Sequence, residues 1–261
     1  MIRVESVHIY PVKSCRGIAV PRAHVERRGL RGDRRWMIVR DDGTFVTQRD
    51  QSRLCLVGTE LSPHGIALRY EQQQLEIPLA LDAGPRIAVT VWRSVVDAIE
   101  YVPARPLISE AVGEAARLVY MPDDAERAVS ETYAQPGDIV SFADGFPVLL
   151  ASTSSLGDVE RRSGTALAMT RFRPNIVVSG AAPFAEDDWN RLTIGDISMR
   201  VAKPCERCVV TTIDPQTGDR GKEPLRTLAT FRKRGDAVHF AVNLVPESLG
   251  PLAVGDAVNP A

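Results

Sequence analysis

The chain has 261 residues, 44% hydrophobic and 25% charged, with 32 basic side chains against 33 acidic ones and a formal net charge of −1. That length supports one large β or α/β domain, or two smaller ones, and the composition is that of a folded protein with a real core. Near-neutral charge excludes a general attraction to nucleic acid or to an anionic membrane, and arginine pairs such as Arg27-Arg28, Arg34-Arg35 and Arg161-Arg162 are scattered as solvated faces.

No apolar run approaches the roughly 20 residues of a membrane span. Met1-Ile2-Arg3-Val4-Glu5 passes directly into strand-like alternation, without the pattern of a signal peptide. The expectation is a cytoplasmic protein that engages neither membrane nor nucleic acid. Its 4 cysteines are too few for a disulfide framework, so the Cys205-x-x-Cys208 pair points to metal or redox chemistry.

Residues 4–10 alternate and meet Pro11, which predicts a strand ending in a turn. The following Val12-Lys13-Ser14-Cys15-Arg16-Gly17 is loop chemistry: Lys13, Ser14 and Arg16 suit an anion, or serve only as a polar loop. Residues 36–39 predict a strand, Asp41-Asp42-Gly43 a hairpin turn and residues 45–47 its return. Short strands and turns continue through about residue 78 and over 88–92 and 95–99, the pattern of a small barrel or sandwich. Pro103 and Pro106 mark a soft boundary, dividing the chain into 1–103 and 104–261, and residues 107–118 have helical periodicity. Residues 122–138 predict a loop lying over a site. Residues 146–150 predict a strand, Ser152-Thr153-Ser154-Ser155 a cap for a helix running to Arg161, and 176–180 another strand. A strand over 197–202 delivers the cysteine pair, 224–231 predicts a short helix, and 238–244 and 252–258 are again β.

Lys203 and Arg207 flank the thiols and favour the thiolate. A structural zinc site needs four ligands, and Cys15 and Cys55 stand isolated far upstream. A redox dithiol sits at a helix start after a strand, whereas Val209-Val210-Thr211-Thr212-Ile213 reads as a strand. A single thiolate ligand to a soft or redox-active metal stays open. His8, His24, His64 and His239 show no ligand spacing, Glu186-Asp187-Asp188 reads as an acidic turn, and no phosphate-cradling glycine motif occurs.

Taken in order, Tyr10-Pro11-Val12-Lys13-Ser14-Cys15, Asp33-Arg34-Arg35-Trp36, Phe172-Arg173-Pro174-Asn175, Glu186-Asp187-Asp188-Trp189 and Cys205-Glu206-Arg207-Cys208 with Thr211-Thr212 and Asp214-Pro215 form a specific set. The set resembles the MOSC proteins, named after the molybdenum cofactor sulfurase C-terminal domain, and within them the branch of the mitochondrial amidoxime-reducing component and its bacterial relatives. The resemblance implies an α+β, β-rich fold, with an N-terminal β-barrel-like region over 1–103 and a MOSC β-barrel domain over 104–261. It implies molybdenum on a pyranopterin dithiolene, with Cys208 as metal ligand and catalytic residue and Cys205 as a neighbour. Lys13, Ser14, Arg34, Arg173 and Asn175 match positions that hold the cofactor's phosphate and pterin; Ser152 and Asn243 fall near further cofactor contacts. The cofactor is one that purified protein can lose.

The implied activity is reduction of N-hydroxylated compounds such as hydroxylamines and amidoximes. Electrons would come from a separate donor of ferredoxin, flavoprotein or cytochrome type, because no further cysteine cluster offers an iron-sulfur centre. The alternatives are a cofactor carrier or sulfur-transfer protein without reductase turnover, and a β-rich binding module with a structural metal. One departure stands out: Gly145-Phe146 follows Asp144 where relatives often carry hydroxyl residues.

Overall fold

A computed structural model describes residues 1–261. The chain opens with β1 (Arg3–Ile9), β2 (Ile18–Val20), β3 (Arg22–Glu26), β4 (Gly29–Leu30) and β5 (Trp36–Arg40). A meander of β6 (Gly58–Ser62), β7 (Gly65–Tyr70) and β8 (Gln73–Ile77) precedes the hairpin β9 (Arg86–Val91) and β10 (Ser94–Glu100). Then come α1 (Arg105–Val112), β11 (Ala116–Tyr120), β12 (Val148–Ser152), α2 (Thr153–Ser163), β13 (Ile176–Ser179), β14 (Arg191–Ile194) and β15 (Ile197–Arg207). The chain closes with α3 (Leu225–Ala229), β16 (Lys233–Arg234), β17 (Ala237–Pro246), β18 (Gly250–Ala253) and β19 (Val258–Pro260).

The largest sheet has 9 strands in the order β19-β14-β15-β17-β12-β13-β1-β2, with β16 on β17. Its one parallel pair, β12 with β13, is joined through α2, because a parallel return needs a crossover long enough to span the sheet. Three smaller sheets, β5-β11-β10-β9, β18-β3-β4 and β6-β7-β8, complete the strand-rich fold.

Two main cores result. In the first, Trp36 and Ile38 of β5, Leu68 of β7 and Leu118 of β11 pack with Leu107, Ile108 and Ala111 of α1. In the second, Val7, Val178, Leu150 and Leu244 of the large sheet face Val25, Leu30 and Leu252 of the sheet β18-β3-β4. Each fully buried aliphatic side chain contributes about 1.5–3 kcal/mol of burial free energy. In the second core, the N-terminal strands β1, β3 and β4 therefore complete a structure built mostly from the C-terminal half. No helix is long and apolar enough to cross a membrane.

The helical periodicity over 107–118 overruns the observed helix. Gly113, at φ +83°, takes the left-handed position that ends α1, and its N–H bonds the Ser109 carbonyl at 2.8 Å. Beyond it Leu118 pairs with Ile38 across β11 and β5, so strand pairing claims residues whose spacing suits a helix. The stretch 122–138 carries no regular element. It is pinned by Arg200 of β15, which donates to the Tyr133 carbonyl at 3.0 Å and to Asp138 Oδ2 at 2.6 Å.

Candidate cofactor site

The floor of the site forms where the turn after β1 meets the loop before β5. The Lys13 N–H donates to the Trp36 carbonyl and the Arg34 N–H to that of Tyr10, each at 2.8 Å, which lays the two segments side by side. Asp33 accepts from the Tyr10 N–H at 2.8 Å and from Arg34 Nη1 at 2.7 Å. Arg34 then donates to Asn175 Oδ1 at 3.0 Å and, through Nη2, to the Arg173 carbonyl at 3.1 Å. Asn175 is buried, accepting from the Leu149 N–H and donating to the His8 carbonyl, so one side chain ties β1 and β12 to the floor. The guanidinium groups of Arg34 and Arg173 lie 4.5 and 4.3 Å from the Tyr10 ring centroid. Ser14, Arg34 and Arg173 all have positive φ, at 71°, 46° and 55°. Such backbone is costly for residues other than glycine, and it persists because these interactions over-determine it.

Lys13 is only 5% exposed; its Nζ donates to the Phe142 carbonyl at 2.8 Å and to Asp144 Oδ1. Burial lowers the Lys13 ammonium to about 8, with Asp144 acting in the opposite sense. Burial also acts to raise the Asp144 carboxyl, but the Lys13 ammonium and Arg49 outweigh it and hold it well below the usual carboxylate range. Its side chain is 57% exposed because it opens onto the cleft. Arg173 is lowered by burial and then by the neighbouring Arg34 guanidinium.

The thiols arrive on β15, whose pairing with β17 is interrupted by register shifts at 201/203 and 204/206. These irregularities re-aim side chains at the strand's end. Cys205 accepts from Arg207 Nη1 at 2.9 Å and packs beside Phe172 and Phe240. Cys208 instead precedes a 3-10 turn over Val209–Thr212. This replaces the strand that propensity predicts there. Thr211 Oγ1 donates to the Cys208 carbonyl at 3.0 Å and Thr212 Oγ1 to that of Val209 at 2.8 Å, so the hydroxyls close the turn locally. Both thiols line the cleft but they are inequivalent: Cys205 is engaged by Arg207, whereas Cys208 stands beside Arg49.

A cleft of about 390 Å³ brings together Lys13, Ser14, Arg34, Arg173, Asn175, Asn243 and Cys208. Ser152 is not among its walls; it is fully buried at the start of α2, with its hydroxyl 2.7 Å from that of Ser154. Arg16 lines a neighbouring cavity of about 490 Å³ that shares Gln48, Arg173 and Val210 but holds neither Cys208 nor Lys13. The Glu186-Asp187 pair is structural: Asp187 Oδ2 accepts from Arg232 at 2.5 Å and Arg234 at 3.0 Å, and Glu186 accepts from Ser155 at 2.7 Å.

The structure adds residues that sequence reasoning does not single out. Gln48 Nε2 donates to the Ser14 carbonyl at 2.5 Å, and Arg49 lies 3.4 Å from Asp144 Oδ2 and 4.9 Å from the Trp92 ring centroid. Burial acts against the Arg49 charge, but Asp144 and the Cys208 side chain outweigh it and raise its pKa. Nothing in the local pattern of Thr47-Gln48-Arg49 marks it; only the fold brings it to the thiol.

A cationic floor beneath a cleft lined by the Cys205 and Cys208 thiols, set between an N-terminal β region and a large mixed sheet, defines a protein of the MOSC class. Residues 1–114 match the MOSC N-terminal beta barrel domain and residues 137–259 the MOSC domain. More narrowly, the chain belongs to the family of the mitochondrial amidoxime-reducing components. It is 35% identical over 283 residues to rat mitochondrial amidoxime reducing component 2, covering 98% of this chain and 82% of that protein. It is 32% identical over 279 residues to human mitochondrial amidoxime-reducing component 1, with 98% and 82% covered. Membership implies molybdenum cofactor binding, and the residues present fit that group. Arg and Lys on the floor suit a phosphate, and buried Arg173 Nη2 and Arg207 Nε are donors with no protein partner.

Proposed function

We propose that the protein is a molybdenum cofactor-dependent reductase of N-hydroxylated compounds, hydroxylamines and amidoximes among them, working in the cytoplasm with a separate donor protein of ferredoxin, flavoprotein or cytochrome type. The observation that carries this reading is the meeting, in one cleft, of the Cys208 thiol with the floor of Lys13, Arg34 and Arg173. Residues 1–103 contribute Lys13, Ser14, Arg34 and Arg49 to that cleft, and residues 104–261 contribute Arg173, Asn175, Asn243 and Cys208.

In this reading Lys13, Ser14 and Arg34 hold the phosphate, Arg173, Asn175 and Asn243 orient the pterin, and Cys208 is the metal's protein ligand. When bound, the cofactor supplies the two-electron chemistry that N–O bond reduction needs. The chain does the positioning. Asn175 fixes Arg34, and Asp33 fixes both Arg34 and the Tyr10 backbone, so the donors are set before a ligand arrives. Asp144 stays ionised at neutral pH and presents a carboxylate acceptor toward the cleft.

Protein expressed in a cofactor-producing host is expected to carry molybdenum and pterin and to reduce hydroxylamine with an artificial electron donor. Replacing Cys208 by Ala is expected to lower turnover by about 100-fold or more. A protein without molybdenum, or a Cys208→Ala variant with full activity, overturns the reading. Bound cofactor or a cysteine persulfide without turnover by any reductant assigns a carrier or sulfur-transfer role instead.

A further inference from the structure

The cavity of about 490 Å³ beside the cofactor cleft has no part in the reaction proposed above. Its rim is exposed at Arg16, Thr170 and Gln216, and its inner end is buried at Tyr10, Gln48 and Ile213. Tyr10 is 1% exposed, yet its hydroxyl has no hydrogen-bond partner within the protein. The ring is held in place by the guanidinium groups of Arg34 and Arg173 over it and by Gly17, where a Cβ would fall 2.4 Å from Tyr10 Cε1. Arg171 donates through Nη1 to the Ile213 carbonyl at 2.7 Å and through Nη2 to Asp214 Oδ2 at 2.6 Å, which leaves its buried Nε without a partner. Arg173 gives Nη1 to the Cys15 carbonyl at 2.6 Å and likewise leaves Nη2 without one. Asp214 offsets the charge of Arg171, but Arg16 and Arg173 donate only to backbone carbonyls and have no carboxylate partner.

We infer that this cavity is a second binding site, separate from the cofactor cleft, for a small organic carboxylate with an apolar body. Buried polar groups in folded proteins are satisfied, and here Tyr10 Oη and Arg171 Nε face a space that no protein acceptor fills. A guanidinium N–H can only donate, so the missing partner is an acceptor, and a carboxylate is acceptor-only and matches the planar fork of arginine. No acidic side chain lines the cavity to oppose it. The remaining walls, Ala168, Val210, Ile213 and Pro215, are apolar, and the volume is that of a site enclosing an organic molecule rather than a bare ion. Arg173 lines both spaces, so an occupant here draws on a cation that the cofactor cleft also uses.

The test is calorimetric titration of the full-length protein with benzoate, and with benzamide as the uncharged analogue of similar shape. The readout is binding, so it does not depend on turnover. Benzoate is expected to bind saturably, and benzamide about tenfold or more weakly, because only the carboxylate makes charge-assisted hydrogen bonds. Arg16→Gln and Tyr10→Phe are each expected to weaken benzoate about tenfold. Lys13→Gln, whose side chain lines only the cofactor cleft, is expected to leave the benzoate constant within about twofold. If Tyr10→Phe does not fold, the exposed Arg16→Gln carries the comparison. Absence of saturable benzoate binding, equal affinity for benzamide, or a loss in Lys13→Gln as large as that in Arg16→Gln overturns the inference.

Discussion

Lys13 has few alternatives to holding an anion. Its ammonium is enclosed, it donates to the Phe142 carbonyl and to Asp144, and its lowered value of about 8 means that it stays charged at neutral pH with a narrow margin. Between about 8 and the ordinary lysine value of 10.5 the unfolded chain binds this proton more readily than the folded protein, so the Lys13 contribution to stability improves as pH rises through that window. Anion affinity runs the other way, since it needs the charged form. Inorganic phosphate binding to cofactor-free protein, followed by calorimetry, is expected to weaken about tenfold per pH unit above pH 8, and Lys13→Gln is expected to abolish that break. A profile without a break near 8 in the wild type contradicts this role. Single residues of this kind were legible where chemistry is contiguous: Lys13 adjoins Ser14 and Cys208 lies three residues from Cys205. Asp144, 131 residues from the ammonium it neutralises, carries no local signal of that pairing.

At the scale of elements, strand alternation and turn chemistry read well because each rests on neighbours in the chain. Two stretches read poorly for opposite reasons. Residues 209–213 have strong β propensity, yet threonine hydroxyls three residues on offer the carbonyls of Cys208 and Val209 a local partner, and the turn wins. Residues 116–118 suit a helix, yet the edge of β5 offers a longer-range ladder, and the strand wins. Close packing between elements sets tighter limits than either pattern shows. Gly29 of β4, at φ +115°, would place a Cβ 2.4 Å from the Pro147 carbonyl oxygen. Gly29→Ala is expected to cost about 3 kcal/mol through steric overlap and backbone strain together, read as a lower denaturant midpoint at unchanged slope. A midpoint within experimental error of the wild type would show that β4 and the segment before β12 separate freely.

For the whole molecule, the decisive fact is that sequence neighbours and structural neighbours diverge. β1 and β2 extend the sheet that carries Cys208, and β3 pairs with β18 near the far end of the chain. A fragment covering 1–114 is therefore expected to lack its second core and to unfold without a cooperative transition, checked by calorimetry; a sharp heat-absorption peak would show an autonomous unit. This also explains which part of the architecture could be read in advance. Motif order indicated the family and its β-rich fold, but no local pattern announces that the ends interlock, because the apolar alternation of β1 is the same whichever strand it pairs with. The interlock reaches the last residues: Val258 donates to the Ile2 carbonyl at 3.0 Å, and the Val4 N–H to that of Asp256 at 2.9 Å. On the ribosome, at roughly 5–20 residues per second, the apolar strand made first must wait some ten seconds or more for these partners to emerge. Its survival in that interval depends on whatever shields a nascent β-edge, so this protein's yield in a cell is set partly by translation speed and chaperone supply as well as by the stability of the finished fold.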